Sequence, residues 1–145
     1  MSYVSTNNFQ SESSVSGNEF EQAVAQELAE LHNLDASEIL QGISLPEVGI
    51  ELDYLILTDE GIECGEAKGG KPGKGKRPGA KRTDNVKKAI CNGALLQQVI
   101  PGLKYVIYFS SPPTPGYASE AMLNVALEAG FVSEVRYLNI YTVNN

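Results

Sequence analysis

Residues 50–57 read Ile-Glu-Leu-Asp-Tyr-Leu-Ile-Leu, and residues 62–68 read Ile-Glu-Cys-Gly-Glu-Ala-Lys. Both stretches are rich in side chains that favour β-strands. The turn-forming residues Thr-Asp-Glu-Gly at 58–61 separate them. This pattern predicts a β-hairpin.

The register of the hairpin determines which side chains meet. With Leu57 opposite Ile62, Asp53 faces Glu66, and Lys68 lies on the same side. Facing carboxylates repel each other unless a cation or a proton lies between them, and hard oxygen ligands suit Mg²⁺ or Mn²⁺. The pair therefore predicts a divalent-metal site, with a solvated patch of salt bridges as the alternative.

A helix is predicted upstream, over residues 17–31. Ser16-Gly17-Asn18-Glu19 has the spacing of a capping box. Helical spacing then relates the apolar residues Phe20, Ala23, Val24, Leu28 and Leu31. Glu21 lies just beside this apolar stripe and Glu27 lies within it, so either could supply a third carboxylate above the sheet.

A basic, flexible loop is predicted after the hairpin at residues 69–82, because a composition of Gly, Pro, Lys and Arg cannot build a core. Residues 68–88 contain nine basic residues and one acidic residue, a formal charge of +8. The rest of the chain has two basic and 17 acidic residues, a charge of −15. Phosphate is the expected partner of such a segment, and a soluble flexible linker is the alternative. The candidate nucleic-acid contacts are Lys71, Lys74, Lys76, Arg77, Lys81 and Arg82.

Taken together, these residues resemble the PD-(D/E)XK nucleases, the restriction-endonuclease-like superfamily that includes Holliday-junction resolvases and many phage nucleases. The resemblance covers about residues 16–110. It rests on Gly-Asn-Glu-Phe-Glu at 17–21, on Ile-Glu-Leu-Asp at 50–53, and on Glu-Ala-Lys at 66–68. Leu52 stands where the motif has proline, a common departure within the family.

The resemblance implies an α/β fold with a core of helix, three strands, helix and strand, here followed by a further helix and strand. It implies that Asp53 and Glu66 bind Mg²⁺ or Mn²⁺, together with the backbone carbonyl of Ala67. Lys68 would be the catalytic lysine. Glu21 would be the helix carboxylate, because it follows Phe20 as in the family's pattern, and it would tune the metal directly or through water. Glu27 is the second choice.

The remaining elements follow from periodicity and turn residues. We expect an early strand at 39–45, a helix capped by Thr83 or Asp84 and ended by Pro101-Gly102, and a strand at 105–109 buried on both faces. A helix at 118–129 that ends at Gly130 and a last strand at 135–143 complete the prediction.

Composition sets the outer limits of the prediction. The chain has 145 residues, 42% of them hydrophobic, which is enough for one domain, predicted at 16–145. Residues 1–15 are rich in Ser, Asn and Gln and are predicted to be a disordered tail. No stretch has the pattern of a membrane span or of a signal peptide, which favours a cytoplasmic protein without a membrane partner.

Cysteine and histidine chemistry has little support in the sequence. Cys64 and Cys91 fall in a predicted strand and a predicted helix and are expected to be buried free thiols. His32, the only histidine, stands at a helix end and is expected to be a capping or surface residue. A Ser-His-Asp or Cys-His mechanism and a Cys/His zinc site therefore have no basis here.

The sequence thus predicts a metal-dependent nuclease that acts on DNA, expected to be an endonuclease. One alternative is a catalytically silent protein of the same fold that binds nucleic acid. Another is a regulator that uses the basic segment on an acidic protein partner. A homodimer is also compatible with the sequence.

Overall fold

The predicted hairpin forms part of a five-stranded mixed sheet in the computed structural model, which describes residues 8–70 and 77–141, with side chains from residue 18 onward. The elements, in chain order, are α1 (Asn8–His32), β1 (Leu40–Leu45), β2 (Ile50–Thr58), β3 (Gly61–Lys68), α2 (Thr83–Val99), β4 (Lys104–Phe109), α3 (Ala118–Ala129) and β5 (Glu134–Tyr137). The fold is therefore α/β, and the order of its elements is the predicted one. None of the helices described is both long and apolar enough to cross a membrane.

The strands lie in the order β1-β2-β3-β4-β5. β1, β2 and β3 are antiparallel neighbours, whereas β4 runs parallel to both β3 and β5. The hairpin has the predicted register, with Leu57 opposite Ile62 and Leu55 opposite Cys64. Strand β4 is buried on both faces, as predicted, because it lies between two parallel neighbours with helices above and below it.

The helices divide between the two faces of the sheet. On one face, Phe20, Val24 and Leu28 of α1 pack against residues of β2 and β4 that include Tyr54 and Tyr108. On the other face, α2 and α3 form a second cluster with the sheet, whose members include Val86, Ala89, Leu96, Leu123, Ala126, Tyr105, Ile107 and Phe109. The alternating side chains of β4 therefore contribute to both cores.

Helix α1 begins at Asn8, nine residues before its predicted start. Residues 8–15 of the predicted disordered tail are thus helical, and Ser16 lies inside the helix instead of capping it. Serine and glycine inside a helix each cost at most about 1 kcal/mol, so they weaken the helix without ending it. The first seven residues of the tail lie outside the described residues.

Helix α2 begins at the predicted place but without the predicted cap. Arg82 is its N-cap residue and makes no side-chain capping bond, while Thr83 and Asp84 belong to the first turn. Cys91, predicted to be buried in this helix, is exposed, because it lies on the face of α2 away from the core.

Strand β5 ends at Tyr137, six residues before its predicted end. The backbone N–H of Leu138 still donates to the carbonyl of Phe109, at 2.9 Å. The chain then turns, with the backbone N–H of Tyr141 donating to Asn139 Oδ1 at 3.0 Å. Leu138 and Ile140 pack beside the core under α1 instead of extending the sheet.

The second half of the predicted flexible segment is ordered against the end of β4. Gly79 and Ala80 are buried in a short 3₁₀ turn (Gly79–Lys81). The N–H of Ala80 donates to the carbonyl of Ser111 at 2.9 Å. The N–H of Gly79 donates to the carbonyl of Gly69 at 3.4 Å. These bonds satisfy buried backbone groups that a flexible loop would leave to water. Residues 71–76 of the segment lie outside the described residues.

Candidate active site

Asp53 lies on β2 at the point where pairing with β3 stops. The backbone pairs of the hairpin run from its turn to Tyr54 and Gly65. Beyond them, the backbone N–H of Ala67 donates to Oδ2 of Asp53 at 2.8 Å. The predicted register therefore extends as far as the pair Tyr54–Gly65, one position before Asp53 and Glu66. At Asp53 the side-chain carboxylate, not a backbone carbonyl, accepts the hydrogen bond from β3.

Glu66 is directed from β3 towards α2 and is only 3% exposed. Nδ2 of Asn92 donates to both carboxylate oxygens, at 2.9 Å to Oε1 and 3.0 Å to Oε2. The hydroxyl of Tyr105 donates to Oε2, and Nζ of Lys68 lies 3.9 Å from Oε1. Burial raises the pKa of Glu66, while Lys68 and the two hydrogen-bond donors oppose that rise.

Lys68 is the cation shared by the predicted carboxylates. Its charge lowers the pKa of Glu21, Asp53 and Glu66 alike, although burial is the larger effect and raises all three. Interactions between charges are largely screened beyond about 8–10 Å at physiological ionic strength. Elements α1, β2 and β3 therefore bring the four predicted catalytic side chains to one place.

The packing of α1 against the end of β3 explains why Glu21 belongs to the site. A Cβ atom on Gly69 would lie 2.6 Å from Cβ of Phe20, so glycine allows the helix to approach closely. Glu21, the next residue, has a pKa raised by burial and then by the charge of Asp53. The charge of Glu27, about two turns later in α1, instead raises the pKa of Tyr108 on β4. Helical periodicity alone does not distinguish Glu21 from Glu27. The charges of Asp53 and Lys68 both shift the pKa of Glu21, which indicates that Glu21 is the glutamate near the other carboxylates.

Asp53 and Glu66 are suitable donors for one divalent cation. Burial raises the pKa of both groups, and the charge of Asp53 raises that of Glu66 further, so a nearby cation would favour their ionised forms. Mg²⁺ is commonly bound by one or two carboxylates, with water and substrate oxygens as its other ligands. In the described part of the chain no three His, Cys, Asp or Glu residues form a group that could hold a metal. The donor set therefore fits a metal bound partly by water and substrate, and it does not fit a complete protein cage.

Ala67 contributes to the site through its backbone. Its N–H orients Asp53, as described above. Its carbonyl, which the family resemblance makes a metal ligand, stays a prediction.

The basic candidates divide between described and undescribed residues. Arg77, Lys81 and Arg82 are exposed around the 3₁₀ turn and the first turn of α2. The remaining three, Lys71, Lys74 and Lys76, lie outside the described residues. Lys87 and Lys88, also exposed, continue the basic surface along α2.

Asn92 and Tyr105 are the residues that the sequence analysis missed. Asn92 is polar and lies three positions after the buried Ala89, where a helix that covers a sheet normally carries an apolar side chain. Tyr105 is the first apolar residue of β4, and its hydroxyl needs a partner when buried. Both signals were present in the sequence, but neither names Glu66 as the partner without the packing of α2 against β3.

A second group of charges lies on the other face of β3, around Glu63. Glu63 is 1% exposed and accepts hydrogen bonds from Arg136 Nη1 at 3.0 Å and from the Tyr54 hydroxyl at 2.7 Å. Nζ of Lys104 lies 3.5 Å from Oε1 of Glu63, and Nε2 of His32 lies 4.0 Å from the same oxygen. His32 ends α1, as predicted, but its side chain is only 21% exposed and is a neighbour of this buried carboxylate.

Cysteine chemistry does not contribute to the site. Cys64 is buried on β3 between Glu63 and Glu66, and burial raises the pKa of its thiol to about 12. A thiol in that state is not a nucleophile at neutral pH.

Comparison of the chain with protein-family models, with curated proteins and with solved structures gave no match.

Proposed function

We propose that this protein is a divalent-metal-dependent nuclease that hydrolyses DNA phosphodiester bonds, with a restriction-endonuclease-like core. The observation that supports this most is the convergence of Glu21, Asp53, Glu66 and Lys68 where β2 and β3 separate. One lysine among three partly or fully buried carboxylates is the arrangement that the PD-(D/E)XK resemblance implies.

Each side chain has a distinct role in this proposal. A divalent metal held by Asp53 and Glu66 would polarise the scissile phosphate and acidify a water molecule. Lys68 would donate a hydrogen bond to the attacking water and stabilise the charge that develops on phosphate. Its ammonium group, on a flexible stem with rotatable donors, suits this task better than a fixed guanidinium. Glu21 would accept a hydrogen bond from water at the same site.

The basic surface supplies the attraction to a polyanion. Arg77, Lys81 and Arg82 are exposed next to the ordered anchor formed by Gly79 and Ala80. That anchor is hydrogen-bonded to Gly69, directly after Lys68. Positive charge therefore starts beside the proposed catalytic lysine, and phosphate contacts there would place the backbone of a nucleic acid near the carboxylates.

One observation favours the alternative, a catalytically silent protein of this fold that binds nucleic acid or a protein partner. Both oxygens of Glu66 already accept hydrogen bonds from Asn92, and Oε2 also accepts one from Tyr105. A carboxylate so well satisfied can be purely structural.

A cleavage panel separates the two. Supercoiled plasmid, linear duplex and a four-way junction are incubated with Mg²⁺, Mn²⁺ or a chelator. The wild type is compared with Asp53→Asn and with Glu60→Gln, a matched change at the exposed hairpin turn. The proposal predicts metal-dependent cleavage by the wild type and by Glu60→Gln but not by Asp53→Asn. Salt-sensitive binding without cleavage by any of them would favour the silent protein.

A further inference from the structure

The carboxylate of Glu66 is held from two directions by groups that the proposed chemistry does not use. From α2, one amide nitrogen of Asn92 bridges both oxygens, at 2.9 and 3.0 Å. From β4, the hydroxyl of Tyr105 reaches Oε2. A carboxylate bound at both oxygens from two different elements has one favoured orientation.

The Tyr105 hydroxyl is itself fixed in place. It lies 2.7 Å from the carbonyl oxygen of Ala89 on α2, as well as within hydrogen-bonding distance of Glu66. The hydroxyl has one hydrogen, and a bond to a carboxylate is the stronger of the two because it is charge-assisted. The two acceptors, Ala89 on α2 and Glu66 on β3, share that single hydrogen and hold the hydroxyl between these two elements.

Gly93 is what allows the Tyr105 ring to reach this position. A Cβ atom at Gly93 would lie 2.8 Å from Cε2 of Tyr105 and 2.4 Å from the carbonyl oxygen of Phe131. Real Cβ atoms do not approach so closely, so any larger residue would push the ring away from α2. Asn92 and Gly93 therefore have complementary roles. Asn92 donates to Glu66, and Gly93 leaves room for the ring of Tyr105, the second donor.

We propose that Asn92 and Tyr105 are positioning residues that hold the Glu66 carboxylate in the orientation that binds the metal. This inference rests on the proposed function, because it assigns a purpose to the orientation of a proposed ligand. Groups that orient a metal ligand typically contribute 10–100-fold to metal affinity. Nζ of Lys68 lies 3.9 Å from Oε1 of the same carboxylate, and the charge of Asp53 also acts on it.

The test is a titration of the protein with Mn²⁺ in the absence of DNA, with free Mn²⁺ measured by electron paramagnetic resonance. Tyr105→Phe removes only the hydroxyl and keeps the ring in the core. Tyr108→Phe is the matched control, because Tyr108 lies on the same strand but its hydroxyl bonds to Arg136 on the opposite face. Asn92→Leu removes the amide but keeps the number and branching of the side-chain heavy atoms, and Asn92→Gln restores an amide donor.

We expect Tyr105→Phe and Asn92→Leu each to raise the Kd for Mn²⁺ by about 10–100-fold. Tyr108→Phe should leave it unchanged, and Asn92→Gln should recover part of the loss. Cleavage by Tyr105→Phe should then approach the wild-type rate at saturating Mn²⁺, because the loss lies in metal affinity and not in the chemical step. A merely structural role for the hydroxyl would leave the Kd for Mn²⁺ unchanged. Melting curves in chelator identify any variant that fails to fold, and the other variant then carries the test.

Two outcomes overturn the inference and are distinguishable. If the wild type binds Mn²⁺ and Asp53→Asn abolishes that binding, while Tyr105→Phe and Asn92→Leu bind as tightly as the wild type or tighter, the positioning role is wrong and the proposed function stands. If Asp53→Asn leaves Mn²⁺ binding unchanged, the metal site itself is wrong, and the positioning role falls with it.

Discussion

Replacing Arg136 by methionine should destabilise the protein strongly without touching the candidate active site. The guanidinium donates to Glu63 at 3.0 and 3.3 Å, to Glu134 at 2.6 and 3.2 Å, and to the Tyr108 hydroxyl at 2.9 Å. Methionine keeps most of the apolar stem but none of these bonds. Because Glu63 is 1% exposed, its charge would stay buried after losing its closest cation.

The expected loss of stability follows from what remains around Glu63. Removing one partner of a buried ion pair costs about 3–5 kcal/mol. Lys104 Nζ at 3.5 Å and the Tyr54 hydroxyl at 2.7 Å still compensate part of the charge, which places the loss near the lower limit, at about 3 kcal/mol. For a chain of this length that corresponds to a fall in Tm of about 10 °C.

Urea denaturation at pH 7 measures this loss directly. Arg77→Met, the same change at an exposed position, should stay within about 0.5 kcal/mol of the wild type. Adding Glu63→Gln to Arg136→Met should recover at least about 1 kcal/mol, because no buried charge is then left unpaired. A loss below about 1 kcal/mol for Arg136→Met, or no recovery in the double variant, would refute the reasoning.

Further predictions concern the site and the basic surface. Burial raises the pKa of Asp53 above its ordinary 3.8, so the stability this group contributes is complete below that pH and is lost as pH rises through the folded-state pKa. Metal-free Asp53→Asn should therefore match the wild type in acid and melt at a higher temperature at pH 7; equal melting temperatures at pH 7 would contradict this. Lys68→Ala should lower the single-turnover rate by about 100-fold with little loss of DNA affinity, and an equal loss of both would make Lys68 only a binding residue. Changing Arg77, Lys81 and Arg82 to Ala should flatten the log–log salt dependence of DNA binding by up to about 0.9 for each phosphate that these side chains neutralise, and an unchanged slope would exclude them as phosphate ligands.

Much of the fold was predictable because its signals are local. The hairpin follows from two strand-forming stretches and a four-residue turn, and its register follows from the turn. Strand β4 follows from an uninterrupted apolar run, and the end of α3 follows from Gly130, which has the positive φ expected of a glycine that ends a helix.

The errors occurred where tertiary contacts override local signals. Ser16 and Gly17 look like the start of a helix, but α1 continues through them. Tyr141 alternates with Tyr137 as if both lay in a strand, yet the chain leaves the sheet after Tyr137. After Tyr137 the apolar residues Leu138 and Ile140 pack beside the core instead of extending the sheet.

The candidate site shows the same division. Asp53, Glu66 and Lys68 were predictable from strand register alone, whereas the choice of Glu21 required the family resemblance and is supported by its electrostatic neighbours. Asn92 was not predictable, because its role depends on how α2 lies across β3. Helix position over a sheet is set by side-chain packing along its whole length, which no single motif specifies.

The central claim is that Asp53 and Glu66 bind a metal that drives phosphodiester hydrolysis. The most direct test is the single-turnover cleavage rate on the best DNA substrate, measured against Mn²⁺ concentration for the wild type, Asp53→Asn and Glu60→Gln. We expect a rate that saturates with Mn²⁺ for the wild type and Glu60→Gln, disappears in chelator, and falls by at least about 100-fold in Asp53→Asn. Cleavage that persists in chelator, or that proceeds at the wild-type rate in Asp53→Asn, would contradict it.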